Sequence, residues 1–511
     1  MGIFSRDPSV RTVYGHTFKW TSEHTPAEDF RPLLHTYDKV AAEALGSLDE
    51  IVPPVSLNFA RKDIQETFEP KEAEPQEKKR HRDLFKLLKE HSNRDPRLQK
   101  LWTEVNKVPD WVDWAQIERG QNVFWRYGGP AITTLMFLSL LGGMGASRPV
   151  ETLTRTGGFG ASVVNRRLLE TTQHTLGVHD GLAAIQPGGP GWESSVRVRL
   201  LHAAVRQRIV ALTRADPSYY DVAAYGVPVN DLDCIGTMNT FSATVLWLGL
   251  PRQGIRPRPQ EIADYLALWR WVSHLMGTPH DWLATPAAAK AMMESLLVSE
   301  IAPSPKSGVL ANNIITGFEG LGPTYASRGF MCAETYWLNG RQLARELNIA
   351  PPSFYQTALV AGQCLFFMIS GYLCRSIPAL DARNIKLVRY GLFELLVHNR
   401  SKGGLGYKSK FAFKWIPDLV NIETPQGEPF PGRTKTLGGL RHRGVERTAL
   451  LTLFFVGALL GFIAWLGVRI VAAAAGADMQ WLGSSLEQLR FYGGGCAMLG
   501  HASRIYATLY L

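Results

Sequence analysis

Apolar residues recur at intervals of three and four through most of the chain. From Ser195 to Leu212 (SVRVRLLHAAVRQRIVAL), Val198, Leu201, Val205, Ile209 and Leu212 form one continuous face. That spacing predicts a helix with this face in a core. His202 sits in the middle of the face, with Arg199 three positions before it and Arg206 four after. Two guanidinium groups therefore share the imidazole's side of the helix. A second helix is predicted over Ala161 to Leu176 (ASVVNRRLLETTQHTL), where Arg167, Glu170, Thr171 and His174 fall at i, i+3, i+4 and i+7. They make one polar stripe on an otherwise apolar surface.

Longer apolar runs follow the same period. Gly128 to Ala146 is apolar nearly all round and broken by Gly142, Gly143 and Gly145, which predicts a buried core helix; Gln356 to Leu373 predicts another apolar helix, core or membrane-facing. Between Val210 and Ile385 helical runs are separated by Pro and Gly, with no train of alternating strands. The predicted class is mainly α, a large helical domain with globin-like packing. Thr448 to Val468 then gives 21 residues without a charge. That is enough to cross a hydrocarbon core, and it predicts a C-terminal membrane helix. Arg433, Lys435, Arg441, Arg443 and Arg447 precede it, which places the preceding domain on the cytosolic side.

The ends and connectors read differently. Asp29 to Val55 predicts an amphipathic helix with a proline-rich exit, and Lys62 to Arg97 alternates charge with little apolar content, as in a solvated arm. Within that arm, Lys78 to Arg82 form a basic cluster suited to an exposed face or to lipid headgroups. The expected organisation is an N-terminal extension over 1–100, a helical domain over 101–400, a basic connector over 401–447, a membrane helix over 448–475 and a tail over 476–511. The first residues, MGIFSRDPSV, lack the apolar core of a secretory signal and miss the myristoylation pattern at position 6.

Composition narrows the partners. The 511 residues carry a formal net charge of +10, which favours an anionic neighbour. No basic run is interleaved with base-stacking aromatics, so a membrane surface is expected rather than nucleic acid. Five widely spaced cysteines fit reduced, buried thiols. There is no phosphate-binding Gly-x-x-x-x-Gly-Lys loop, no His-Glu-x-x-His, and no Cys-x-x-Cys-His for covalent haem attachment. His174 and His179 are five apart, off the spacing of a helical zinc pair, although their nearness to carboxylates leaves a non-haem metal open.

A buried histidine between two arginines suits a cofactor that needs an axial nitrogen and carries acidic groups, as haem does. The alternatives are a core histidine bonded to a backbone carbonyl and a solvent-facing stripe on the Arg167 helix. Three segments in order then carry a family resemblance. Arg167 with Thr171, the Gly188–Trp192 loop and VRLLHAAVR form the first. Gly226, Pro228, Asn230, Asp233, Thr237, Phe241 and Ser242 form the second, and Tyr265, Trp269 and Arg270 the third. Over about residues 120–385 the chain resembles the catalytic domain shared by latex clearing proteins (rubber oxygenases) and the membrane-bound oxygenase of mycophenolic acid biosynthesis.

The resemblance implies a haem b oxygenase using dioxygen. His202 would supply the proximal nitrogen, Arg199 or Arg206 would neutralise the propionates, and Arg167, Glu170 and Thr171 would line the distal side. Glu151 occupies the place of the family's functional glutamate. Where latex clearing proteins carry a lysine this chain has Glu170, so their polyisoprene cleavage is not expected to transfer intact. A membrane-anchored member would act on a prenyl, isoprenoid or related secondary-metabolite substrate by cleaving a C=C bond, at the endoplasmic reticulum with the catalytic domain in the cytosol. The alternatives are a haem-dependent hydroxylase or oxidase without cleavage, and a non-catalytic membrane-bound haem or lipid carrier.

Overall fold

A computed structural model describes residues 7–53, 82–322, 324–399, 404–406 and 443–474. Most of the basic cluster at 78–82, the connector after residue 406 and the tail beyond 474 lie outside these residues. The architecture is mainly α-helical, as the spacing predicts. The sheet among the described residues is one short hairpin, Val10–Val13 against His16–Lys19, antiparallel. Tyr14 and Gly15 turn it with φ of 46° and 78°, the left-handed pair that a two-residue hairpin loop requires. The hairpin is pinned by ionisable partners, since His16 Nε2 and His24 Nε2 both meet Glu294, at 2.8 and 2.9 Å.

The N-terminal helices are built locally by aspartates. Asp38, Asp83, Asp95 and Asp113 each stand just before a helix and accept a backbone N–H of its first turn, from Ala41, Lys86, Arg97 and Ala115. Each such cap contributes about 1 kcal/mol. Lys39–Ile51, Leu84–His91 and Pro96–Asn106 bury Leu48, Phe85, Leu88, Leu98 and Leu101 in the main hydrophobic core. The charge alternation over residues 82–97 therefore marks the outer faces of helices whose inner faces pack, and residues 62–81 of the expected arm lie outside the described residues. Their polar edge grips the helix that carries His202, Pro190–Ala215, through Arg197 to Asp83 and Arg199 to Asp38.

Two further helices hold the middle of the fold. Trp114–Arg126 lies along Pro259–Leu275, joined by a two-pronged pair from Arg119 to Asp264 at 2.9 and 3.1 Å. The same Trp114–Arg126 helix takes the carbonyls at the end of the Arg167 helix, Val164–Val178. Gln121 Nε2 donates to Val178 O and Trp125 Nε1 to His179 O, both at 2.8 Å. Helix ends leave such carbonyls unpaired, so these two bonds fix where the Arg167 helix stops.

The run Gly128–Gly145 is helical but changes pitch. Gly128–Thr133 is α-helical, Thr134–Leu141 is π-helical and Gly142–Gly145 is a 3-10 turn. More than half of it is buried, as a core helix should be. The C-terminal helix, Gly444–Ala474, behaves otherwise. Its first turns bury Ala449 against Phe354–Ser376, where the carbonyl of Ala449 would lie 2.4 Å from any Cβ at Gly362. Beyond Leu453 it exposes Phe454, Phe455, Leu460, Phe462, Ile463, Ile470 and Val471.

Candidate functional site

The Arg167 and His202 helices touch backbone to backbone near Gly177 and Gly191. A Cβ at Gly191 would meet the carbonyl of Gly177 at 2.6 Å and that of Ala184 at 3.0 Å. One turn away, His174 Nδ1 and Ser194 Oγ share a hydrogen bond of 2.8 Å. Gly191→Val is expected to push the helices apart and cost about 1–3 kcal/mol of stability, the usual penalty for overfilling a packed contact. A urea denaturation midpoint unchanged from the parent would contradict it.

His202 lies three turns further along its helix. Its imidazole is held down to about 4, by burial first and then by Arg206, with Arg167 adding to the effect. It is therefore neutral at physiological pH. The ring is only partly buried by exposed area, yet loss of solvent dominates its titration. His174 is held to about 4 as well, by burial and by the field of His202, which places the two rings near one another.

The four arginines divide into two kinds. Arg199 is 2% exposed and bonded to two carboxylates, Asp38 (2.6 and 3.0 Å) and Glu104 (2.8 Å). Its charge is matched within the protein, so the sequence assignment of Arg199 to an acidic ligand loses its electrostatic reason. Arg155 likewise serves Glu151. Arg206 is different in bonding no carboxylate: its Nε and Nη2 donate to the carbonyls of Pro228 and Val229, it lies over the Tyr37 ring at 4.7 Å, and its buried Nη1, like that of Arg199, has no partner. Arg167 donates to Thr156 Oγ1 at 2.8 Å and lies 4.6 Å from the centre of the Phe159 ring. Burial lowers Arg167 to about 10, with only the field of Glu170 acting against it. Neither Arg167 nor Arg206 forms a close carboxylate pair, which is a costly way to bury a cation unless something anionic or strongly polar completes the site.

The polar stripe splits between neighbours. Glu170 is buried and pairs with Arg166 at 3.2 Å. Thr171 donates to the carbonyl of Arg167 at 3.2 Å and also lines a cavity of about 460 Å³. That cavity lies on the adjacent face of the Arg167 helix, Leu168, Thr172 and Thr175, and is walled by the Gly128–Gly145 segment. Thr171 therefore stands between the arginine side and the apolar cavity, while His202 and Arg167 do not line the cavity. Glu151 is 5% exposed and bonded to Arg155 (2.7 Å) and Lys306 (2.8 Å). Burial pushes its carboxyl up, but Lys306 and Arg155 outweigh this and hold it below the ordinary range.

Several groups here escape the helical pattern. Asp38 reaches Arg199 from far upstream, and Glu334 and Gln363 enter the cavity wall from helices whose spacing marks them only as core. His179 stacks on Phe124 at 4.0 Å, beside Tyr265 and Trp269, with its Nε2 unpartnered. Its Nδ1 meets the Thr175 carbonyl at 2.7 Å, so it is a core imidazole. No cluster of three metal-ligating side chains occurs among the described residues.

Residues 125–367 match the family described as ER-bound oxygenase mpaB/B′/Rubber oxygenase, catalytic domain. Among solved structures, latex clearing protein in its closed state is similar at 17% identity, over 76% of this chain and 96% of that one, with a TM-score of 0.48. Aurantioclavine synthase cnsA of Penicillium expansum is 50% identical over 34 residues, and the match spans 7% of this chain and 7% of that protein's length. Every residue from Glu151 to Gln363 discussed above falls inside the matched span, and this chain carries, across residues 125–367, the catalytic domain of the ER-bound oxygenase mpaB/B′ and rubber oxygenase family.

Proposed function

We propose that the chain is a haem b-dependent oxygenase that acts on a lipophilic prenyl, isoprenoid or related secondary-metabolite substrate, cleaving a C=C bond with dioxygen. The observation that carries this reading is the neutral imidazole of His202 beside two arginines, buried Arg206 and half-buried Arg167, that lack carboxylate partners. Haem b presents an iron that takes a neutral imidazole and two propionates that take cations, so the donor set and the charge both fit. Absence of a Cys-x-x-Cys-His motif makes the attachment non-covalent.

His202 would hold the iron, and the unpartnered Nη1 of Arg206 would hold a propionate. When bound, the haem supplies the activation of dioxygen. The chain's own residues do the rest. Arg167 bonds only a threonine hydroxyl at Nη1, leaving N–H groups to hold a polar oxygen, and the Thr171 hydroxyl lies one turn on, at the cavity border. Glu151, kept ionised by Lys306 and Arg155, is suited to accept a proton rather than to give one. The mostly apolar cavity beyond Thr171 has room for a hydrocarbon chain.

Three helices are long and apolar enough to cross a membrane, and the C-terminal one exposes most of its apolar surface. We place it in the endoplasmic reticulum membrane with the catalytic domain cytosolic, which agrees with the family's description and with Arg443 and Arg447 at the helix start. A pyridine haemochrome assay on the purified protein is expected to show about one haem b per chain. Prenylated substrates under labelled dioxygen are expected to give carbonyl products carrying the label. Protein without haem would end this reading. Haem with hydroxylated products would replace cleavage by hydroxylation, and haem with no product would leave a carrier.

A further inference from the structure

The cavity beside Thr171 has a second polar feature, far from the arginines in sequence. Glu334, on the helix Arg328–Glu346, is 1% exposed, and its Oε2 has no hydrogen-bond partner. Its other oxygen accepts from Gln363 Nε2 of the Phe354–Ser376 helix, and both residues line the cavity. Val445, in the first turn of the C-terminal helix, lines it too. The Glu334 end of the cavity therefore lies where the catalytic domain meets the proposed anchor.

The electrostatic setting of Glu334 is unlike that of the other interior acids. Glu151, Glu170, Glu261, Asp264, Glu294 and Glu446, all buried, each pair with a basic side chain. Asp233, which also lines the cavity, accepts from Asn230 and feels the charge of Arg148; Glu300, the remaining acid of the wall, is bonded to Arg148. Glu334 has no basic group acting on it among the described residues, and burial pushes its carboxyl up to about 8 despite the bond from Gln363. A lone carboxyl in the wall of an apolar cavity is costly unless something completes it. Leucine or methionine would fill the same place without that cost.

We propose that this cavity binds a largely apolar ligand carrying one basic nitrogen, with Glu334 as its counter-ion and Gln363 orienting the carboxyl. The apolar walls take the hydrocarbon body, and an ammonium group supplies the cation that the fold omits. The inference rests on the oxygenase reading only in identifying this ligand as the substrate. An ammonium entering with its own proton converts Glu334 from carboxylic acid to carboxylate, and the displaced proton passes to solvent.

Calorimetry on the full-length, detergent-solubilised protein tests it with geranylamine against geraniol, which share a hydrocarbon chain and differ in the head group. The parent protein is expected to bind the amine about tenfold more tightly than the alcohol or better, as for a hydrogen bond that gains charge. Titration in buffers of different ionisation enthalpy should show about one proton released per amine at pH 7. In Glu334→Gln the preference and the proton release should both vanish while geraniol binding persists. Equal affinities in the parent protein would overturn the proposal without any variant, and so would a preference that survives in Glu334→Gln. Neither readout needs turnover. Haem-free protein that still prefers the amine would sink the oxygenase reading alone, and haem-loaded protein without the preference would sink this one alone.

Discussion

His202→Ala is expected to remove the haem: the haemochrome value should fall from about one per chain to near zero, and added imidazole should restore part of the absorbance. His202 is neutral, because burial and two nearby arginines all disfavour its charged form. Neutral imidazole is the form that ligates iron, so no proton has to be displaced first. Truncation to alanine leaves a space of ring size that free imidazole can enter. The helix itself should survive, because Ala203, Ala204 and Ile209 remain in its packed face.

Arg199→Leu is the control that separates a ligand role from a structural one. It removes the partner of Asp38 and Glu104 and leaves Asp38 without its buried cation, a change that costs about 3–5 kcal/mol when one side of such a pair is lost. Its effect should appear as a lower unfolding midpoint, with the haem spectrum of the remaining folded protein unaltered. An unchanged spectrum in His202→Ala would end the axial assignment.

Periodicity alone exposed the two helices that matter most. The face Val198, Leu201, Val205, Ile209 predicts the His202 helix, and Val198, Val205 and Ile209 are buried in it. The stripe at Arg167, Glu170, Thr171 and His174 is equally legible. What the stripe does is not, because its members point to different neighbours: a threonine at residue 156, an exposed arginine at 166, a cavity, and a serine on the next helix. Those partners depend on how helices cross, and crossing is set by contacts such as Gly177 with Gly191, which carry no periodic signal.

The same limit explains the N-terminal region. Charge alternation there is real on the outer face, but helices of 8 and 11 residues show too few turns for Phe85, Leu88, Leu98 and Leu101 to stand out as a buried stripe. The aspartates before each helix were the better signal, since a cap is a local interaction that needs no tertiary partner. Glu334 illustrates the opposite case. Within GFMCAETYWL it reads as a polar interruption of an apolar run, and only the cavity shows that it has no cation.

Ending the chain after Leu453 is expected to release the protein from membranes. The C-terminal helix has 31 residues, and at 1.5 Å per residue it extends about 46 Å, more than a hydrocarbon core. Its first turns belong to the folded domain: Ala449 is fully buried, and Glu446 accepts the N–H of Ser327 at 2.7 Å, capping the start of the Glu334 helix. Stopping after Leu453 keeps those contacts and deletes Phe454, Phe455, Leu459, Leu460, Phe462, Ile463 and Leu466, all exposed. Each such residue favours the bilayer by about 0.3–0.6 kcal/mol at the centre of a span. The truncated protein should therefore appear in the soluble fraction with its melting temperature close to that of the parent. Retention in a carbonate-resistant pellet would instead move the span to Phe354–Ser376, which also has the length and hydropathy to cross. That helix exposes Ile369 and Leu373 four residues apart, so partial, salt-insensitive adhesion to vesicles is expected even from the released protein. Full integration is not, because Leu359, Val360, Cys364 and Phe367 of the same helix are buried among the other helices, and the domain would have to open to let them reach lipid.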